Sequence, residues 1–110
     1  MLAAAASGST SECRLLLEAG GDVGERNKNG KTPLLLAAYF GHAEVCELLL
    51  ERGKANIEET EPLGNTALKL AATKGHSSTV ALLLSKGARV DTGKNDGYTP
   101  LHSAAKKRPH

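Results

Sequence analysis

The chain has 110 residues, with 14 Lys and Arg, 12 Asp and Glu, two Cys and three aromatic residues. This length is too short for most enzymes that have a separate cofactor domain, and we expect one domain at most. Leu and Ala number 17 and 16, whereas Val and Ile together number five, which excludes an all-β fold. The net charge of +2 is too small to indicate a general nucleic-acid or membrane surface.

No targeting or membrane-spanning segment is predicted. The apolar run at residues 2–6 has no basic flank and is too short for the hydrophobic region of a signal peptide. No stretch reaches the length of a membrane span. We therefore expect a cytoplasmic protein without membrane insertion, with the nucleus as an open alternative.

The sequence repeats with a period of 33 to 34 residues. Residues 31–53 align with residues 65–87 at an offset of 34, and 11 of the 23 positions are identical. Residues 1–20 match residues 34–53, and the pattern begins again at residues 98–107. We expect one array over residues 1–110, divided into a partial repeat at 1–26, complete repeats at 27–60 and 61–93, and a partial repeat at 94–110.

Each repeat is predicted to form two short antiparallel helices. Thr32 precedes Pro33, which pairs an N-cap hydroxyl with a residue suited to the first helical turn, and Thr99 precedes Pro100 in the same way. Gly41 is expected to end the first helix of the second repeat. The predicted fold class is therefore all-α, with stacked helix-turn-helix units.

Apolar residues at i, i+3 and i+4 on each second helix predict a buried seam. Small residues recur on the first helices, where they allow close approach of neighbouring helices. The seam comprises Cys13, Leu16 and Leu17, then Cys46, Leu49 and Leu50, then Val80, Leu83 and Leu84. The small pairs are Ala4–Ala5, Ala37–Ala38, Ala71–Ala72 and Ala104–Ala105.

Polar segments with turn residues separate the units and predict protruding hairpin-like loops. Residues 26–30 and 94–97 carry Asn, Asp and Gly, which favour turns. One additional residue in the stretch 53–57 accounts for the spacing of 34 rather than 33 to the next repeat.

These recurring motifs resemble ankyrin repeats. The chain carries T-P-L-H-S-A-A at 99–105, Gly-His at 41–42 and 75–76, and L-L-S-K-G-A at 83–88. The resemblance implies an ankyrin-repeat α-solenoid, with short β-hairpin-like loops, that holds a partner protein on the hairpin tips and on the concave face of the first helices. It implies no cofactor, no metal and no enzymatic activity.

The chain departs from the family pattern at the helix start and in its terminal units. The His of T-P-L-H is present as His102 and is replaced by Leu35 and Lys69 in the complete repeats. Neither terminal unit has the polar outer face expected of a capping repeat. We therefore expect a segment of a longer array.

The Cys and His residues are interpreted as structural. Cys13 and Cys46 occupy the same seam position, and packed helices lie ~8 to 10 Å apart, beyond the ~7 Å limit between the Cα atoms of a disulfide. His42 and His76 follow the turn Gly in equivalent repeats, which indicates turn or inter-repeat hydrogen bonds. No Cys/His cluster has the spacing of a zinc site.

No catalytic motif is present. The chain has neither a G-x-S-x-G elbow nor a phosphate-binding G-x-x-x-x-G-K-[ST] loop. Glu44, Glu47 and Glu51 are interpreted as a solvated face. The basic stretch 106–108 is shorter than a nucleic-acid-binding block and is interpreted as a solvated end, although salt-dependent nucleic-acid binding through it stays an alternative.

The aromatic residues lie in columns that differ between repeats, and none falls in the seam. Because the resemblance places these columns on the recognition surface, Tyr39, Phe40 and Tyr98 are candidate anchors. Phe40 is equally consistent with packing under the next hairpin. The full candidate set is Lys28, Asn29, Lys31, Tyr39, Phe40, Leu63, Asn65, Thr73, Lys74, Asn95, Asp96, Tyr98, Lys106 and Lys107.

The function expected from these features is non-catalytic binding of a partner protein by a monomeric module, without a small-molecule substrate. The alternative is a structural spacer, or a fragment of a larger multidomain receptor, enzyme or ubiquitin-ligase adaptor whose activity lies outside this chain.

Overall fold

A computed structural model describes residues 1–90, which form six α-helices and no β-strand within that range. The helices are α1 (Leu2–Ser7), α2 (Thr10–Glu18), α3 (Pro33–Phe40), α4 (Ala43–Glu51), α5 (Ala67–Thr73) and α6 (Ser77–Ser85). The predicted all-α fold is confirmed.

The helices stack in two layers. In the first-helix layer α1 packs against α3 and α3 against α5, and in the second-helix layer α2 packs against α4 and α4 against α6. Each first helix also packs against the second helix of its own repeat. Every repeat buries its apolar faces against its neighbours, because a single helical hairpin is too small to enclose them.

Thr32 begins the first helix of the second repeat as predicted, whereas the predicted start at Thr99 lies outside the described residues. The Thr32 hydroxyl oxygen accepts a hydrogen bond from the Leu35 backbone N–H at 3.3 Å, and Pro33 occupies the first turn. The Thr66 hydroxyl oxygen accepts from the Lys69 N–H at 3.2 Å. The N-cap is therefore sufficient to start α5, in which Ala67 stands where α3 has proline.

The core forms where the repeats meet. Leu34, Leu35, Leu49 and Leu83 are fully buried, and the alanine columns bring neighbouring first helices together. The prediction of a buried seam is wrong at Leu84, which is 37% exposed. The reason is that α6 has α4 on one side, and no further second helix follows it among residues 1–90.

The additional residue in the second repeat lies at the end of α4. Gly20 and Gly87 adopt φ of 87° and 95° after α2 and α6, whereas after α4 the left-handed conformation falls on Lys54, at φ 58°. The Ala55 N–H donates to the Leu49 carbonyl at 3.0 Å, which closes this longer turn. The insertion is therefore absorbed locally, and the repeats on either side keep their stacking.

Candidate partner-binding surface

Within residues 1–90, two hairpin tips lie between the helical units, and each is held by one side chain. In the first tip, residues 27–31, the Asn27 side-chain oxygen accepts hydrogen bonds from the N–H groups of Asn29 at 3.0 Å and Lys31 at 2.9 Å. The Asn27 N–H donates to the Lys31 carbonyl at 3.0 Å. The tip is thus ordered while Lys28 and Asn29 remain exposed.

Glu61 replaces Asn27 in the second tip, residues 61–65. Its carboxylate accepts from the N–H groups of Leu63 at 2.8 Å and Asn65 at 3.0 Å, and its side chain is buried. Desolvation raises the pKa of Glu61, but the hydrogen bonds from Asn65 and Leu63, together with the nearby Lys31 charge, outweigh it and lower the pKa. An ionised carboxylate therefore holds this tip.

Leu63 projects from the second tip and is 78% exposed. The equivalent residue of the first tip, 34 positions earlier, is the polar Asn29. The fold consequently does not require an apolar residue at this position. An exposed leucine on an ordered turn is a feature of the surface rather than of the core.

The first and second tips contact each other across neighbouring repeats. A Cβ atom on Gly30 would lie 2.5 Å from Cδ of Pro62, so the two tips approach too closely for any side chain at residue 30. The Arg26 guanidinium donates from Nη1 to the Gly30 carbonyl at 2.6 Å and to the Thr60 carbonyl at 2.9 Å. These contacts fix the relative position of the tips before any partner arrives.

A second link between these repeats joins a tip stem to a helix start. The Thr32 hydroxyl donates to the Glu59 carboxylate. Desolvation by burial raises the pKa of Glu59, while the hydrogen bond from Thr32 and the charge of Arg26 partly counteract it.

Three candidate residues surround the ring of a fourth, Tyr39. We call the four residues the tyrosine cluster: Lys31, Tyr39, Phe40 and Lys74. The ammonium groups of Lys31 and Lys74 lie 5.4 and 4.7 Å from the centroid of the Tyr39 ring. Phe40 packs edge-to-face on the same ring at 5.0 Å between centroids. The ring quadrupole thus holds two cations that come from successive repeats.

The exposed apolar surface of the cluster belongs to the phenylalanine. Phe40 is 49% exposed, whereas Tyr39 is half-buried and packs against the core. Among residues 1–90, no hairpin therefore encloses the Phe40 side chain, which is the alternative that the sequence left open. The part of the cluster that offers apolar area to solvent is Phe40.

The remaining candidates lie at the tips, beside the cluster or beyond the described residues. Thr73 is exposed at the end of α5, and Asn65 is half-buried in the second tip. Asn95, Asp96, Tyr98, Lys106 and Lys107 lie outside the described residues. As a binding surface, the whole candidate set stays a prediction.

Sequence reasoning missed Arg26 and Glu61, although both organise the tips. The repeat alignment carried a signal for Glu61, because it stands where the second repeat has Asn27, an acceptor suited to turns. Arg26 gave no such signal, because its second acceptor is 34 residues away in sequence.

The histidines join one repeat to the next, as predicted. His42 donates from Nε2 to the Ala6 carbonyl at 3.0 Å, and His76 donates from Nε2 to the Tyr39 carbonyl at 3.0 Å. Both acceptors lie in the last turn of a first helix, where carbonyls lack partners within the helix. Each histidine therefore closes the helix end of the preceding repeat.

The two cysteines are buried free thiols in the described structure. Burial raises the pKa of the Cys46 thiol to about 12 and also raises that of Cys13. A thiol held in this form is a poor nucleophile and a poor metal ligand. Within residues 1–90, no group of three or more His, Cys, Asp or Glu side chains is placed to hold a metal ion.

None of the six described helices has the length and apolar character needed to cross a bilayer. Stacked pairs of short helices with ordered tips define a helical repeat protein of the solenoid class. A family model of ankyrin repeats in three copies matches residues 1–93 and 53–110. The chain belongs to the ankyrin repeat family, whose members generally act as protein-interaction modules.

Similar proteins are much longer than this chain. Over 84 residues it is 54% identical to the E3 ubiquitin-protein ligase mind-bomb of Drosophila melanogaster, a match that covers 76% of this chain and 7% of that protein. Over 48 residues it is 44% identical to protein phosphatase 1 regulatory subunit 12A of Mus musculus and of Rattus norvegicus, covering 44% of this chain and 5% of each. The chain thus spans a small part of these relatives.

Proposed function

We propose that this chain is a non-catalytic module that binds a partner protein across its hairpin tips and the adjoining side of the first-helix layer. The observation that carries the proposal is Leu63, which is 78% exposed on a turn held by the Glu61 carboxylate. Covering such a side chain releases water from apolar surface, and its ordered backbone lowers the entropic cost of binding.

The pattern of variation between repeats supports this surface. Leu49 and Leu83 are equivalent residues of two repeats and both lie in the core. Leu63 and Phe40, in contrast, have no apolar counterpart in the equivalent positions Asn29 and Lys74. Residues that stacking does not require are free to serve recognition.

Site-specific cross-linking tests the proposal. A photoreactive amino acid at position 63 should capture a protein from a lysate of the source organism. The same amino acid at Leu15, which is 66% exposed on α2, is the matched control. A discrete partner captured from position 63 and not from position 15 is expected. Equal capture from both positions would contradict the assigned surface.

Substitution provides a second readout. In affinity capture on the immobilised chain, which needs no cross-linker, Leu63→Asp and Phe40→Ser should each abolish retention of the partner without lowering helicity by circular dichroism, because both side chains are exposed. Leu15→Asp should leave capture unchanged. We propose that the chain acts as a monomer in the cytoplasm and needs no small-molecule ligand. Light scattering measures its molar mass and so tests the monomeric state.

The alternative function is that of a structural spacer or part of a larger multidomain receptor, enzyme or ubiquitin-ligase adaptor. The observation that favours it is that the match covers only 7% of the mind-bomb ligase and 5% of the phosphatase regulatory subunit. Leu63→Asp introduced into the intact gene product separates the two functions. A spacer would retain the activity of the whole protein, whereas an interaction module would lose recruitment of its partner.

A further inference from the structure

The two helix layers differ in charge. Helices α1, α3 and α5 contain no carboxylate and one charged residue, Lys69, with Lys31 and Lys74 immediately outside α3 and α5. The second-helix layer is acidic, because α2 contributes two glutamates and α4 three. The candidate surface therefore lies on the more basic side of the molecule.

Cations in the second-helix layer are already compensated. Lys86 hydrogen-bonds to the Glu51 carboxylate and lies 3.8 Å from that of Glu47. A groove of about 340 Å³ between α2 and α4 places Arg14 and Arg52 among glutamates of α4. These three cations thus lie beside three glutamates of α4, and the second-helix layer keeps its excess of carboxylates.

The lysines of the tyrosine cluster differ from Lys86 in this respect. Within residues 1–90, neither Lys31 nor Lys74 forms a salt bridge. The carboxylate whose charge interacts with Lys31 is that of Glu61, and it already accepts two backbone N–H groups in the second tip. Two like charges thus share one ring, an arrangement that an external anion would stabilise.

The cluster also combines charge with apolar area. Phe40 leaves 49% of its surface exposed directly beside the Tyr39 ring. An occupant that satisfies both features carries negative charges at the spacing of the two ammonium groups and an apolar side chain between or beside them. A protein segment rich in Asp and Glu with an interspersed apolar residue has this chemistry.

We propose that the tyrosine cluster binds an acidic segment of the partner protein, whose carboxylates pair with Lys31 and Lys74 while an apolar side chain packs on Phe40. This inference rests on the proposed function and names the chemistry of the partner. Cation–π contacts to Tyr39 hold the two ammonium groups in place before binding, which reduces the side-chain entropy lost in forming the ion pairs.

A peptide-display selection provides the probe. Random dodecapeptides are selected on the immobilised chain, and in parallel on the double variant Lys31→Gln/Lys74→Gln. The wild-type chain should enrich peptides with at least two acidic residues and one aromatic or aliphatic residue, and the double variant should lose this enrichment. Neutral or basic consensus sequences, no enrichment, or the same acidic consensus from both proteins would overturn the inference.

Fluorescence titration of one enriched peptide then measures the effect of each residue. Each single Lys→Gln change should weaken binding roughly three- to tenfold, with greater loss at high salt. The matched control Lys54→Gln removes a lysine beyond the end of α4 and should leave affinity unchanged. Tyr39→Leu keeps the apolar volume but removes the ring that positions the ammonium groups, and should also weaken binding.

Two further outcomes separate this inference from neighbouring ones. Tighter binding of a single-stranded oligothymidine than of the acidic peptide would replace the acidic protein segment by nucleic acid and overturn the inference. If position 63 still cross-links a cellular partner in the Lys31→Gln/Lys74→Gln variant as strongly as in wild type, the acidic segment is wrong while the proposed function stands. Loss of the position-63 cross-link in both the Phe40→Ser variant and the lysine variant supports the two together.

Discussion

The His76 imidazole lies over Gly41 and donates from Nε2 to the carbonyl of Tyr39, 3.0 Å away in the preceding repeat. A Cβ atom on Gly41 would lie 2.6 Å from Nδ1 of this ring. His42 repeats the arrangement over Gly8. The Gly-His pair therefore couples neighbouring repeats: the glycine leaves room for the ring that closes the helix end before it.

A glycine pair tests this coupling. Gly41 and Gly75 share a φ of 78°, so alanine at either position should cost ~1 to 2 kcal/mol of unfolding free energy for the left-handed conformation. Gly41→Ala should cost more, because it also displaces His76, whereas no described atom lies within 4 Å of a Cβ at residue 75. Urea unfolding measures both. Equal losses would contradict the proposed role of the histidine contact.

Thr79→Val should stabilise the protein. The Thr79 hydroxyl is buried in α6 and has no hydrogen-bond partner among residues 1–90, and the equivalent residue of α4 is Val45. Removing an unsatisfied hydroxyl while keeping the side-chain shape should raise the free energy of unfolding by about 1 kcal/mol. Thr73→Val, at an exposed position, is the control and should have little effect. A lower denaturation midpoint for Thr79→Val would show that the hydroxyl is needed.

Lys54→Gly should also stabilise the chain, for a backbone reason. Lys54 has a positive φ of 58°. This conformation costs a residue with a side chain roughly 1 kcal/mol more than it costs glycine. The larger chain entropy that glycine loses on folding offsets part of this difference. The expected gain is below about 1 kcal/mol. The reciprocal change Gly20→Lys, at φ 87° with open space around it, should destabilise. Thermal melts that shift in the same direction for both changes would refute this explanation.

Glu59→Gln and Glu61→Gln should change stability in opposite directions at pH 7. The folded state raises the pKa of Glu59 above its ordinary value of 4.5. Glu59 therefore contributes favourably to the free energy of unfolding below pH 4.5, and this contribution is lost as the pH rises through the folded-state pKa. Gln should therefore stabilise at pH 7. The folded state lowers the pKa of Glu61, so its contribution exists above 4.5 and is lost as pH falls through the folded pKa. Gln should cost about 1 kcal/mol there.

Urea unfolding at pH 7 and pH 3 measures both effects. The two differences from wild type should shrink at pH 3, where the unfolded carboxyls are protonated. A difference for Glu59→Gln that is unchanged by pH would assign its effect to packing instead of ionisation.

Much of this architecture is readable from local sequence patterns. The helix start at Thr32 and the inter-repeat histidines follow from capping chemistry and period, and the structure confirms them, as it does the close-packed pairs Ala4–Ala5 and Ala37–Ala38. Leu84 marks the limit of such reasoning. The i, i+4 spacing places it on the seam, but burial depends on a neighbouring helix that the spacing alone does not supply.

The chain's own sequence determined the repeat, the class of fold and the columns in which side chains vary, because these depend on residues within one helix or one turn. Only the tertiary structure decided which varying side chains meet: Lys74 with Tyr39, Arg26 with Thr60, and Thr32 with Glu59. The last two pairs are 34 and 27 residues apart. Their contact depends on the angle and offset at which successive repeats stack, which is set by packing across the whole interface and by no single local pattern.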